Sequence, residues 1–336
     1  MPTRARLTPA IADVRRAVRE AFDEAGVGAG DLVLVACSGG ADSLALAAAA
    51  GFEGARVGVR VGAVIVDHGL QAETVAVAAR TAEVLRGLGL SPVEVSSVSV
   101  GAGAGPEAAA RTARYEALDA AAAAHGARFV LLGHTLDDQA ETVLLGLGRG
   151  SGPKSLAGMS TVSGSYLRPL LAIRRATTEA FCRDSSLDYW TDPQNSDPRF
   201  TRVKLRHEVL PLLEEALGGG VAEALARTAN LLRADASALD QLAAELFAAE
   251  AQVAATTVTL DCEALAKHPS ALSSRLIKLA IETVGGQTSA TAIESVTALV
   301  LDWHGQKPLT LSGTRVERTG RSLVFRTTKT LKTGAC

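Results

Sequence analysis

The chain has 336 residues, 47% hydrophobic and 21% charged, with a formal net charge of −2. That balance calls for a folded, soluble protein of roughly two ordinary domains, and the near-neutral total does not announce nucleic-acid binding. No apolar run reaches the ~18 residues of a membrane span, the N-terminus lacks the apolar core of a secretory signal, and Cys37, Cys182, Cys262 and Cys336 show no CxxC spacing. A reducing cytoplasm with no zinc or iron–sulfur site is therefore expected.

The opening MPTRARLTPAIADVRRAVRE is charged and amphipathic. DLVLVAC is a short branched apolar run that reads as a strand, and Asp42 to Ala50 reads as a helix. VGVRVGAVIVDHG is a second strand, and Gln71 to Leu88 a helix closed by Gly87 and Gly89. SPVEVSSVSV alternates like a third strand. After GAGAG comes an Ala-rich helix from Pro106 to near Ala124, then the strand ARFVLLGH and a helix through Leu147. Strands spaced by helices predict βαβ units, hence a parallel twisted sheet with helices on both faces.

The second half is less regular. GRGSGPKSLAGMSTVSGS reads as a loop, Thr177 to Ser186 as a helix, and TDPQNSDPRF as a proline-broken loop. A short helix then runs to Gly218-Gly219-Gly220. That glycine run divides the chain into residues 1–217 and a smaller, mainly helical domain, 218–336. The latter carries a helix from Val221 to Ala251, a strand at Thr257–Leu260, two helical segments and the terminal hairpin PLTLSGTRVERTGRSLVFR. From Lys307 onward basic residues outnumber acids.

Two stretches carry chemistry. In VACSGGADSLAL a buried strand gives way to a helix through two glycines. Such a turn lets main-chain N–H groups and the helix dipole meet an anion. Ser38 and Ser43 add hydroxyls. Asp42 is repulsive toward phosphate unless a Mg²⁺ lies between them. A Walker A loop would end in GKS or GKT, and this one has no lysine. Cys37 reads as a buried strand residue, since nothing nearby in sequence would lower its pKa. In LLGHTLDDQAETVLLGLGRGSG, His134 lies at a strand exit, where ligands sit in open α/β sheets. Asp137, Asp138 and Glu141 then fall on one face of the first helical turns. Those acids complement the helix dipole, and equally suit Mg²⁺ or a substrate ammonium.

The hexapeptide Ser38-Gly39-Gly40-Ala41-Asp42-Ser43 resembles the SGGxDS loop of the N-type ATP pyrophosphatases. The stretch from Leu132 to Thr142 resembles the LGHxxDDxxET segment of the tRNA(Ile)-lysidine synthetases within that superfamily. VIVDHGLQAET, EAAARTARYEAL and the region from Leu167 to Leu213 are also similar to that family. Gln71 and Val203 stand where arginine and asparagine are usual. The resemblance implies an adenine nucleotide alpha hydrolase-like fold and ATP-dependent ligation of L-lysine to C2 of the wobble cytidine of tRNA(Ile) with anticodon CAU. ATP and Mg²⁺ are the implied cofactors, and a homodimer is an open expectation.

By motif position, the resemblance places Cys37, Ser38, Gly39, Gly40, Ala41, Asp42, Ser43, Asp67, His68, Gly133, His134 and Asp137 around ATP. Asp42 and Asp137 are implied metal ligands. Asp138, Glu141 and Arg114 are implied for lysine; with Asp42 and His134 they form the expected catalytic set. Arg111 and Arg114 read equally as a solvated helix face. Arg202 and Arg206 are expected on phosphates or the target base. Arg315, Arg318, Arg321 and Arg326, with Lys307, are expected on tRNA, or as the solvated face of an edge strand. Trp190 and Tyr189 fit stacking on a base or a core role. The competing functions are another adenylating enzyme of the same superfamily, such as a tRNA thiolase or small-molecule synthetase, and a nucleotide-binding regulator without chemistry.

Overall fold

The computed structural model describes residues 7–67, 72–98, 106–150, 152–193 and 197–328. His68 and Gln71, and Asn195 of the turn TDPQNSDP, lie outside the described residues. The chain forms two compact units, Met1–Leu231 and Leu232–Cys336. The division falls inside a long helix, past the glycine run at 218–220 where the sequence changes character.

The first unit opens with α1 (Pro9–Glu24), capped by Thr8. There follow β1 (Leu32–Ala36), α2 (Ala41–Val57), β2 (Arg60–Asp67), α3 (Ala72–Gly87), β3 (Val93–Ser97), α4 (Pro106–His125), β4 (Phe129–Leu132) and α5 (Leu136–Gly148). Next come α6 (Pro153–Leu156), the short β5 (Val162–Ser163) and β6 (Tyr166–Leu167), and α7 (Arg175–Asp184). Then α8 (Thr201–Lys204) passes through a π-helical turn (Leu205–Val209) into α9 (Leu210–Leu217). Among the described residues the sheet order is β3-β2-β1-β4-β6-β5, parallel except for the β5–β6 pair. The parallel sheet with flanking helices is as expected. The segment read as loop, however, contains α6 and β5, and β6 follows at once, pieces too short to show a period.

Strand β1 is central and buried on both faces, which is why it reads as continuous Leu/Val rather than alternating. Val33 and Val35 point to the layer of α1, α2 and α3. Leu32, Leu34 and Ala36 point to Leu118 and Ala121 of α4. Register pairs Ala36 with Val64 of β2 and Leu132 of β4. The carboxyl ends of these strands therefore finish side by side, and the expected site residues follow at once.

The second unit contains the rest of α10 (Val221–Glu250), β7 (Gln252–Ala254), β8 (Thr257–Asp261), α11 (Cys262–Lys267), α12 (Ser270–Thr283), α13 (Ala290–Leu301), β9 (Leu309–Leu311), β10 (Thr314–Thr319) and β11 (Ser322–Thr327). The terminal hairpin is present and belongs to a larger antiparallel sheet, β7-β8-β11-β10-β9. Val258, Leu260, Val316, Leu323 and Phe325 alternate onto the helices and make the second core.

Candidate active site

The loop between β1 and α2 is braced by its own serines. Ser43 Oγ donates to Gly40 O at 3.0 Å and accepts the Ser38 N–H at 3.2 Å. Gly39 has φ +83°, and a Cβ there would lie 2.6 Å from Thr81 Oγ1. Its carbonyl accepts the Trp190 N–H at 2.9 Å. Helix α2 starts at Gly40 with no side-chain cap, so its first N–H groups are left for a ligand. Gly133, leaving β4, faces the α2 backbone, where a Cβ would meet Asp42 C and Ser43 N at 3.2 Å. A glycine at each strand exit thus lets β4 and the loop close on one spot. A cavity of about 170 Å³ adjoins the loop, lined by Gly39, Val77, Thr81, Tyr189 and Trp190 among others. Trp190 serves the loop through its backbone, and Tyr189 packs against the main core.

Cys37 is buried, and desolvation raises its pKa despite the Ser43 hydroxyl 3.5 Å away. It is a packed thiol beside the loop. Asp67, closing β2, is buried and accepts from Thr74 Oγ1 of α3 at 2.8 Å, so it fastens the β2–α3 connection.

The acids of α5 divide by function. Thr135 and Asp138 form a reciprocal capping box. Asp138 Oδ2 accepts the Thr135 N–H at 2.8 Å, while Oδ1 accepts Arg175 Nη2 at 2.7 Å and Arg206 Nη2 at 3.3 Å. Burial alone would raise Asp138; Arg175, the Thr135 N–H and Arg206 together hold it below the usual carboxylate value. Glu141 is fully buried and meets Arg206 Nε at 2.8 Å, Arg202 Nη1 at 3.5 Å and Arg175 Nη1 at 3.9 Å. Asp137 turns elsewhere. It accepts the Arg175 backbone N–H at 2.8 Å and pairs with Arg174 at 3.2 Å, anchoring the start of α7.

Asp42, on the first turn of α2, accepts Arg175 Nε at 3.1 Å and the Thr178 hydroxyl. Desolvation raises its pKa, opposed by Arg175 and Thr178. Arg175 therefore bridges the loop acid to the α5 acids, and these neighbours outweigh burial to hold it firmly protonated. Arg175 and Thr178 were given no role by the sequence. Arg202 and Arg206, expected on phosphates or a base, lie on carboxylates instead. The π-helical turn, where Leu210 N–H reaches Leu205 O, contains Arg206 and follows α8, which carries Arg202. Leu210 seats this segment on Leu136 and Ala140 of α5.

His134 sits beside the capping box with its Nδ1 buried and without a partner among the described residues. Desolvation, reinforced by Arg168, Arg114 and Arg111 against Asp138, lowers its pKa to about 4, so it is neutral near pH 7. Arg114 is partly buried, burial lowers its pKa, and it has no ion pair among the described residues. Arg111 donates to Tyr115 OH at 3.3 Å.

The metal expectation narrows on this geometry. No group of three His, Cys, Asp or Glu side chains able to hold a metal occurs among the described residues. Mg²⁺ needs only one or two carboxylates when phosphates and water complete its shell. Both oxygens of each aspartate already meet protein partners, Asp42 with Arg175 Nε and the Thr178 hydroxyl and Asp137 with Arg174 and the Arg175 N–H; Asp42 fits that need by position, on the first turn of α2 beside the glycine loop.

The hairpin arginines, in the other unit, are mostly committed. Arg318 points inward, donating to Leu299 O at 2.9 Å, Val300 O at 3.1 Å and Gly320 O at 3.0 Å, with its guanidinium 5.4 Å from the Trp303 ring centroid. It closes the C-terminus of α13 rather than facing RNA. Arg321 pairs with Glu263 and Asp261, and Arg326 with Glu317. Arg315 is exposed and has no such partner among the described residues.

Residues 12–213 match the family model described as a PP-loop domain. The chain is 56% identical over 299 residues to the tRNA(Ile)-lysidine synthase of Leifsonia xyli subsp. xyli, covering 88% of this chain and 90% of that protein. It is 55% identical to the tRNA(Ile)-lysidine synthase of Streptomyces coelicolor, over 88% of this chain and 85% of that protein. For that of Thermobifida fusca the identity is 50%, over 91% and 94%. Among solved structures, the U34-tRNA thiolase NcsA from Methanococcus maripaludis superposes with a TM-score of 0.57 at 18% identity. It covers 67% of this chain and 79% of that one, a likeness of fold alone.

Proposed function

The chain belongs to the tRNA(Ile)-lysidine synthase family of PP-loop proteins, and from that premise we propose how its residues carry ATP-dependent lysidine formation on tRNA(Ile). The substrate base is the wobble cytidine of the CAU anticodon. Its O2 attacks the α-phosphate of ATP, forming a C–O–P link and releasing pyrophosphate. The ε-amine of L-lysine then attacks C2, the C–O bond to AMP breaks, and the amine gives up its proton.

The loop from Ser38 to Ser43 binds the pyrophosphate portion with its main-chain N–H groups. Bound Mg²⁺, held by Asp42, would neutralise charge on the triphosphate. Asp138 and Glu141 hold the lysine ammonium and take up its proton, and Arg114, which has no ion pair among the described residues, holds the α-carboxylate. His134, being neutral, hydrogen-bonds the nucleotide or base and does not act as an acid. The reaction belongs to the cytoplasm, and a homodimer is part of the same proposal.

The observation that carries this reading is the joining of Asp42, Asp138 and Glu141 through one guanidinium at the exits of β1 and β4. A phosphate loop and an amine-binding acid pair are thereby adjacent. Cys37 and Cys182 are buried thiols with raised pKa, Cys182 to about 12, which favours amine over thiol chemistry. Mass spectrometry of tRNA(Ile) transcript incubated with ATP and lysine tests it. Lysine attached to one cytidine is the expected product; AMP formed on a small carboxylate without tRNA would defeat the proposal.

A further inference from the structure

Three carboxylates in the site, Asp42, Asp138 and Glu141, face three guanidiniums, Arg175, Arg202 and Arg206. In this arrangement the acid pair assigned to lysine is already neutralised. An entering ammonium adds a fourth cation to a site in which Glu141 has no solvent exposure, and unbalanced charge there is costly. One guanidinium must leave first. Arg175 is the one with a second place to go, because its Nε already lies on Asp42 in the anion loop while its Nη2 lies on Asp138. Its main-chain N–H is pinned by Asp137 at 2.8 Å, so the backbone stays while the side chain swings. The phosphates of ATP, delivered to the loop, offer the stronger bidentate anion.

Resting on the function proposed above, we propose that Arg175 is a positioning residue that makes nucleotide binding a precondition for lysine binding. It lies across the amine-binding carboxylates in the free enzyme and moves onto the phosphates when ATP arrives. Asp138 and Glu141 are then released for the ammonium, and the amine is admitted only where a base can be adenylated. Lysine cannot replicate the device, since an ammonium is a point charge and cannot fork between Asp42 and Asp138.

Calorimetric titration of lysine into the full-length enzyme, with and without Mg²⁺ and α,β-methylene-ATP, is the test. The wild type should bind lysine at least about fivefold tighter with the analogue present, as for an ordinary coupling between sites. Arg175→Lys, which keeps the charge, should bring that ratio close to one. Arg175→Met should bind lysine alone more tightly than the wild type does, an outcome that loss of structure would not give. Should Arg175→Met fail to fold, Arg175→Lys still decides. Equal wild-type affinity with and without the analogue, or full coupling in Arg175→Lys, overturns the proposal. An enzyme that modifies tRNA yet shows no coupling defeats only this inference. One that neither binds lysine nor modifies tRNA defeats the proposed function as well.

Discussion

Replacing Gly39 by alanine probes the loop at its tightest point. An L-residue at φ +83° costs about 1–2 kcal/mol in backbone strain. The new Cβ would also lie 2.6 Å from Thr81 Oγ1, and overpacking of that kind adds about 1–3 kcal/mol. Gly39→Ala should therefore lose about 2–5 kcal/mol in urea unfolding and raise KM for ATP at least tenfold, roughly 1.4 kcal/mol of binding. Thr81→Ala removes the hydroxyl that the Cβ meets and leaves the φ strain untouched. The double variant should recover about 1–3 kcal/mol relative to additivity, and recover part of the ATP KM. If Gly39→Ala is equally damaging in the Thr81→Ala background, the clash with α3 is not what makes glycine necessary, and the close approach of loop and helix has been misjudged.

Other outcomes follow from the site and from the second unit. Glu141→Gln should cut lysine transfer at least about 100-fold while changing the affinity for α,β-methylene-ATP by less than threefold or so, as read by tRNA mass spectrometry and calorimetry. His134 binds a proton near pH 6.5 when unfolded but only near 4 when folded. Its contribution to stability is therefore fully present above about pH 6.5 and declines as pH falls toward 4; urea midpoints across that range should show this slope in the wild type and lack it in His134→Asn. Arg318→Ala should destabilise the second unit by about 1–3 kcal/mol through the lost carbonyl contacts, seen as a lower Tm. Arg315→Glu should leave Tm unchanged, weaken tRNA binding and reduce its salt slope by about one. Unaltered tRNA affinity in Arg315→Glu would show that this face does not meet RNA.

The β1–loop–α2 unit was legible because a buried run, two glycines and a helical pattern lie within a dozen neighbouring residues. The α5 acids were legible for the same local reason, although not their division of labour: spacing put Asp137 with the other two, and its carboxylate turns to α7. Arg175 left no local signal. It sits in the basic pair Arg174-Arg175, which reads like any solvated helix start, and its partner Asp42 is 133 residues away. The hairpin shows the opposite error. Four arginines at 315, 318, 321 and 326 look like an exposed face, but Thr314, Val316 and Arg318 share the inward side of β10, and the Arg318 guanidinium finds the carbonyls that α13 leaves open. Periodicity reports which side a residue is on, not what waits there.

Pro211 cannot supply an amide proton to the carbonyl four positions earlier, and the wide turn at Leu205–Val209 lies just before it. One added residue in that turn offsets the downstream register by about 100° of rotation. The segment bearing Arg202 and Arg206 and the helix leading away from it can thus obey separate packing demands. Shortening the turn by one residue after Arg206 would preserve helicity while forcing those demands into conflict. Length at this place should tolerate change far less than residue type does at its solvent-facing positions, His207 and Glu208.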